Sequence, residues 1–205
     1  MTDFWEKAFK INRNMWGFEP AKSTVLIKDF FIEQNVKDIL IPGIGYGRNA
    51  QIFRDNGMSV TGIEISKTAI DLAHKHFGND LHIHHGSVTE MPFDSKQYGG
   101  IYCYALIHLL DKNDRKKLIT NCYKQLSENG FMVFTTVTKE AQIYGQGTCI
   151  DKDRFEIFGG VRMFFYDRKS IQEEFGQAGL FEITEVMDIY PFYLIKCKKE
   201  NRKVS

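Results

Sequence analysis

Paired cysteines, a dominant charge and long apolar runs are all missing from this 205-residue chain. Each absence narrows what it can be. The four cysteines, Cys103, Cys122, Cys149 and Cys197, are scattered without a C-x-x-C pair. Cys103 and Cys197 fall in apolar strand-like runs and Cys122 in a helical one, the pattern of reduced thiols in a cytosol rather than of a disulfide frame. A formal net charge of +1 leaves no global field to gather nucleic acid or an acidic membrane surface. No apolar run approaches membrane-spanning length, and the opening MTDFWEKAFK is charged, without the apolar core of a signal segment. A cytoplasmic location is therefore expected. Internal repeats, low-complexity tracts and interdomain linkers are absent too. What is present is ordinary for one α/β domain: 43% hydrophobic and 26% charged residues. Aromatic residues are plentiful at 14%, with seventeen Phe. They can fill a core and still line an apolar substrate pocket.

The most informative stretch is ILIPGIGYGRNAQIFRDNGMSVTGIE, residues 39–64. A short apolar run (Ile39, Leu40, Ile41) reads as a buried strand and ends in Pro42 and a Gly43-Ile44-Gly45-Tyr46-Gly47 turn. A helical pattern follows, with Ala50, Ile52 and Phe53 apolar and Gly57 as its stop. Val60 to Ile63 reads as a second strand that ends at an acid, Glu64. Strand, glycine turn, helix, strand, carboxylate is a nucleoside-binding unit: glycines allow close backbone approach and a helix N-terminus offers free N–H groups. A carboxylate at that distance can accept hydrogen bonds from both ribose hydroxyls. Dinucleotide binders use G-x-G-x-x-G, whereas here the pattern is G-x-G-x-G and Arg48 stands where the last glycine would fall. The ligand therefore need not carry a pyrophosphate.

This stretch resembles motif I of the class I S-adenosylmethionine-dependent methyltransferases, and its Ile-Pro-Gly form is similar to the thiopurine and tellurite methyltransferase branch. The resemblance implies S-adenosylmethionine as cofactor, with Gly43, Gly45 and Gly47, followed by Arg48 and Asn49, under its amino-acid end. It implies Glu64 and Ile65 at the ribose, Ser87 and Val88 at the adenine, and Tyr104 and Ala105 beyond the fourth strand. Two departures stand out. Many members carry an acid two residues before the first glycine, where this chain has Ile41, and the usual Gly-Asp near the adenine is Gly86-Ser87 here. The Asn/Asp-Pro-Pro-aromatic motif of amino-group DNA methyltransferases is missing, which disfavours an exocyclic base amine as acceptor. The expected activity is methyl transfer to a small molecule at sulfur, oxygen or another soft atom. An NAD(P)-dependent oxidoreductase and a non-catalytic nucleoside-binding module are the alternatives, and Arg48 at the third-glycine position argues against the former.

The remaining segments supply a frame. Residues 2–14 read as a helix, and a second helix is expected from Ser23 as N-cap to about Asn35. By resemblance residues 1–36 form a lid over the cofactor, with Trp16 as its aromatic, since a sulfonium is attracted to a ring face. Ser66 caps a helix to about Phe77. Leu81 to His85 alternates as an edge strand, with His82 and His84 on one face and His85 on the other. No third ligand has matching spacing, so no metal is expected. Asp111 caps a helix over 112–127 that Asn129-Gly130 ends, and its basic residues read as a solvated face. Phe131 to Val137 is a core strand. Residues 139–167 are expected as a loop or hairpin over the active site, Arg168 to Ala178 as a helix, and Leu180–Ile189 with Phe192–Lys198 as an antiparallel hairpin. The fold class that follows is α/β: a single-domain, Rossmann-like, doubly wound sheet over 37–198, mostly parallel, closed by that hairpin, with 199–205 a polar tail. His108 is the candidate general base, because imidazole titrates near neutral pH. Tyr46, Tyr144 and Phe165 join it as expected pocket residues. The expected partner is a small-molecule substrate, without nucleic acid or membrane, and the chain is expected to be a monomer or homodimer.

Overall fold

The computed structural model describes residues 2–13 and 15–201. Its centre is β1 (Asp38–Pro42), which pairs in parallel with β2 (Ser59–Glu64) on one side and β4 (Tyr98–Cys103) on the other. Outward from β2 lies β3 (His82–His85), and outward from β4 lies β5 (Leu126–Val137), both parallel. Two antiparallel strands, β10 (Pro191–Lys198) and then β9 (Leu180–Met187), complete the sheet in the order β3-β2-β1-β4-β5-β10-β9. The chain reverses direction across the sheet between β1 and β4, which opens a crevice at the strand C-termini there.

Alternation along β1 explains the two layers. Ile39 and Ile41 point to one face, where they meet α2 (Lys22–Glu33), α3 (Gln51–Asp55) and α4 (Lys67–Phe77) through Ile27, Phe31, Phe53 and Ala73. Leu40 points to the other, toward α5 (Lys112–Gln125) and α6 (Arg168–Phe175) through Leu118, Ile119, Ile171 and Phe175. Each of these wholly buried side chains contributes about 1.5–3 kcal/mol of burial. Caps fix the helix starts. Ser66 accepts from Ala69 N, Asp111 from Asp114 N, and Asp167 forms a reciprocal box with Ser170.

Three expectations change. Ser23 is no N-cap: α2 begins at Lys22, and the Ser23 hydroxyl is buried against Asp188 Oδ2 at 2.5 Å. The demand for a partner on Asp188 outweighs the local capping preference. The helix of 112–127 stops at Gln125, because Leu126 already belongs to β5, and Asn129 takes φ +60° in an irregular start of that strand. Residues 139–167, expected as a loop or hairpin, take the hairpin form and add a third strand. They fold into a separate antiparallel sheet of β6 (Thr148–Asp151), β7 (Arg154–Ile157) and β8 (Val161–Phe164). Lys139 ties this sheet to the body, with Nζ 2.7 Å from Asp153 Oδ2 and 2.6 Å from Asp167 Oδ2. In the expected tail, Lys199 N donates to Gly130 O, and residues 202–205 lie outside those described. None of the helices among the described residues is long and apolar enough to cross a membrane.

Candidate active site

A cavity of about 760 Å³ opens at the C-terminal ends of β1, β2 and β4, in the upper part of the roughly 300–1,000 Å³ range of ligand pockets. Its floor is the glycine turn. Gly43 has φ +70°, and a Cβ there would come within 2.8 Å of the Leu106 side chain, so glycine answers both to conformation and to space. At the end of β2, Glu64 is only 5% exposed. Its Oε2 accepts from Gly45 N at 2.8 Å, and its Oε1 from Ile65 N and Ser66 N, each at 2.9 Å. Burial raises its pKa, and the backbone N–H donors of Ser66, Gly45 and Ile65 act against that rise. A buried carboxylate on a cavity wall, held by backbone donors with no cation bonded to it, suits a diol that brings further donors. The cradle therefore fits an adenosyl group.

The turn after β3 forms the next wall, from Gly86 to Glu90. Ser87 Oγ lies 2.8 Å from Thr89 Oγ1 and accepts from Thr89 N at 3.3 Å, while Val88 is buried. α5 packs on this turn and brings Asp114 to the same end of the cavity. At the opposite side stands Arg48. Its Nη1 donates to Trp16 O at 2.7 Å and its Nη2 to Tyr104 Oη at 3.5 Å. Trp16, 39% exposed, stacks in parallel on Tyr46 with ring centroids 6.3 Å apart. Tyr46 Oη donates to Gly17 O at 2.6 Å and accepts from Trp16 N at 3.2 Å. Asn49 also lines the cavity, and its Oδ1 accepts from Ala21 N at 3.0 Å. The segment around Trp16 is thus fastened to the glycine turn from three points.

α1 (Thr2–Asn12) crosses above, presenting Phe4, Trp5, Ala8 and Phe9 to the cavity. Glu6 anchors it. Its Oε1 accepts from Thr68 Oγ1 and its Oε2 from Ser66 Oγ, both at 2.7 Å. Hydrogen bonds from Thr68 and then Ser66 pull the Glu6 pKa down to about 2. Beyond β4, Ala105 holds φ +49°, a left-handed conformation rare for a residue with a Cβ, and its N–H donates to Thr135 Oγ1 at 2.8 Å. This bend turns Tyr104 and His108 toward the cavity. Burial, followed by the charge of Asp188, pushes the Tyr104 phenol up to about 12, so it stays protonated. His108 is 3% exposed, and burial alone holds its imidazole down at about 3. Its Nδ1 lies 3.4 Å from Thr136 Oγ1.

Most of the expected residues are brought together here: Trp16, Gly43, Gly45, Tyr46, Arg48, Asn49, Glu64, Ile65, Ser87, Val88, Tyr104, Ala105 and His108 all line the cavity. Three do not. Gly47 faces α4, where an added Cβ would sit 2.9 Å from the Phe77 ring. Tyr144 packs on Phe155 and Phe165 and donates to Asp153 Oδ1 at 2.7 Å, and Phe165 is wholly buried in that same cluster. Both serve the core of the small sheet. Sequence reasoning missed the far wall: Phe158, Val161 and Met163 from β7–β8, with Ile189, Tyr190 and Phe192 from the β9–β10 turn. No local motif marks them, because antiparallel pairing late in the chain carries them to the crevice. The helical aromatics of α1 did offer a signal.

The fold is a Rossmann-like α/β sheet with a cavity at its strand C-termini. Residues 40–134 match the family described as a methyltransferase domain. The ubiquinone biosynthesis O-methyltransferase of Coxiella burnetii is 24% identical over 149 residues, covering 69% of this chain and 60% of that protein. This chain thus spans less than two thirds of the curated relative's length. Among solved structures, the Burkholderia thailandensis 1,6-didemethyltoxoflavin-N1-methyltransferase, with 1,6-didemethyltoxoflavin and S-adenosylhomocysteine bound, has a TM-score of 0.76 at 12% identity, covering 98% of this chain and 87% of that one. A S-adenosylmethionine-dependent methyltransferase from Clostridium acetobutylicum gives 0.74 at 13% identity, covering 97% and 98%. The family match covers residues 40–134, and the solved structures share the fold of nearly the whole chain.

Proposed function

We propose that the protein transfers the methyl group of S-adenosylmethionine to a small molecule with a ring-shaped, largely apolar body, at sulfur, oxygen or another soft atom. The observation that carries this reading is the buried Glu64 carboxylate at the end of β2, opening on a cavity with room for a second molecule beside a nucleoside. Glu64 takes the ribose hydroxyls. Ser87, Val88 and the backbone beside them take the adenine edge. Arg48 takes the methionine carboxylate. When bound, the cofactor supplies an activated methyl on a good leaving group. The chain's own work is then to hold the acceptor in line, roughly 3 Å from that methyl, and to keep water out. Trp5, Trp16 and Phe9 close the top, and Tyr104 and Phe192 bound the acceptor's ring. Residues 1–36 are the lid and 37–198 the methyltransferase domain in this reading.

The likeness to the ubiquinone O-methyltransferase supports a small-molecule acceptor, and the Ile-Pro-Gly turn favours the thiopurine/tellurite-like branch. The protein acts in the cytoplasm without nucleic acid, as a monomer or homodimer. Calorimetry with S-adenosylhomocysteine is the test: heat saturating at one equivalent is expected, and no heat at millimolar ligand ends the proposal.

A further inference from the structure

Taking the methyltransferase reading as its basis, the cavity divides into a charged part and an uncharged one. Four charged side chains line it: Arg48, Glu64, Glu90 and Asp114. The first two belong to the glycine turn and the ribose seat, and the last two to the adenine end, where α5 meets the turn after β3. The other part is walled by Trp5, Tyr104, Val161, Met163, Tyr190 and Phe192, with His108 in its floor. Of the four, Arg48 alone borders that part, at the Tyr104 hydroxyl 3.5 Å away, and on the methyltransferase reading its charge is taken by the methionine carboxylate. Asp188, whose charge is felt at Tyr104, is itself held by Ser23, its Oδ1 and Oδ2 accepting from Ser23 N and Ser23 Oγ.

The polar atom aimed into this part belongs to His108. Its ring is nine-tenths buried and packs 5.9 Å from the Phe192 ring. The Thr136 hydroxyl is wholly buried, and its one side-chain partner among the described residues is His108 Nδ1. A buried hydroxyl needs an acceptor for its proton, so Thr136 donates and Nδ1 accepts. That fixes the proton of the neutral ring on Nε2, which has no partner within the described protein and faces the cavity.

We propose that the acceptor is an uncharged planar molecule carrying a ring oxygen or nitrogen lone pair that receives a hydrogen bond from His108 Nε2–H, and that His108 selects and orients the acceptor rather than removing its proton. A charged acceptor would leave water for a wall that offers it no counter-charge. The balance of the reaction follows. A lone pair on a second atom of the acceptor, not the one hydrogen-bonded to His108, forms the new bond to the methyl carbon, the carbon–sulfur bond breaks, and its electron pair stays on the sulfur. No proton passes to the protein beforehand; one made acidic by methylation leaves to water when the lid opens.

Equilibrium dialysis against protein saturated with S-adenosylhomocysteine tests this with three probes of one shape: quinoline, naphthalene and 2-naphthoate, at pH 7.5. Quinoline is expected to bind about tenfold more tightly than naphthalene, the worth of one neutral hydrogen bond, and 2-naphthoate not measurably. In His108→Phe, quinoline and naphthalene become equal, and in His108→Gln, whose amide N–H can donate, quinoline regains its preference. Imidazole NMR of the loaded wild type should show His108 as the neutral Nε2–H tautomer from pH 5 to 8. Quinoline no tighter than naphthalene, 2-naphthoate as tight as quinoline, or an Nδ1–H or protonated ring near pH 7 overturns the proposal while the methyltransferase reading stands. Failure of S-adenosylhomocysteine itself to bind overturns both.

Discussion

The polar half and the aromatic half of the cavity are built by opposite means. The first comes mainly from the stretch Gly43 to Glu90 and takes its shape from backbone: positive-φ glycines and a carboxylate held by three N–H groups. The second is aromatic, and around Tyr104 and His108 its walls come from both ends of the chain, Phe4 to Phe9 and Val161 to Phe192. A ligand read by hydrogen bonds to a turn demands particular residues at particular spacings. A ligand read by shape demands only area in roughly the right place, which many sequences can supply.

If that contrast is right, substitutions should separate cleanly. The largest effect is expected from Glu64→Ala. It removes the acceptor for two ribose hydroxyls and frees three turn N–H groups, so S-adenosylhomocysteine affinity should fall by roughly 100-fold or more by calorimetry, two charge-assisted bonds being worth about 1.5–3 kcal/mol each. A loss under tenfold would break the assignment of the polar half. Next comes Arg48→Ala, with an expected loss of about 10- to 50-fold for S-adenosylhomocysteine and a much smaller one for 5′-methylthioadenosine, which lacks the carboxylate. Equal losses for both nucleosides would show that Arg48 acts only by holding Trp16 and Tyr104. Phe192→Leu should then change the affinity of quinoline in the loaded protein several-fold while moving that of S-adenosylhomocysteine less than about twofold. The reverse outcome would merge the two halves into one.

The smallest effect concerns the lid. Glu6 has a folded pKa of about 2 against an ordinary 4.5. A depressed acid stabilises the fold above its unfolded value and loses that contribution as pH falls through the folded one. The difference in thermal midpoint between wild type and Glu6→Gln should be constant from pH 7 to about 4.5 and close between about 4.5 and 2. A difference that stays unchanged to pH 2 would show that the Ser66 and Thr68 contacts do not hold α1 down.

Legibility followed the same division. The glycine turn, Glu64, the Ser66 cap and the edge position of His82–His85 were readable, because each is a local consequence of a few adjacent residues. Ser23 misled, since a long-range partner, Asp188, outbid a local cap. The 139–167 segment misled in another way. Its glycines and aromatics mark turns and a small core, but strand pairing among β6, β7 and β8 is set by contacts that sequence spacing does not display, so Tyr144 and Phe165 were taken for walls when they are core. Met163 and Phe192, the true walls, sit at alternating strand positions indistinguishable from any other buried residue. His108 was located on the cavity wall but its burial was not, because burial is invisible to composition.

The small sheet of β6, β7 and β8 meets the main one by a bridge between Thr138 and Tyr166, by the two carboxylates that Lys139 grips, and by an apolar cluster in which Ile157, Met163 and Phe165 pack with Val137 and Phe192. On the proposed reading, a change of length or composition between Thr148 and Phe164 would reshape the wall that Val161 and Met163 give the cavity, and through Val137 and Phe192 it would reach the main sheet, while Glu64 lies outside that shared cluster.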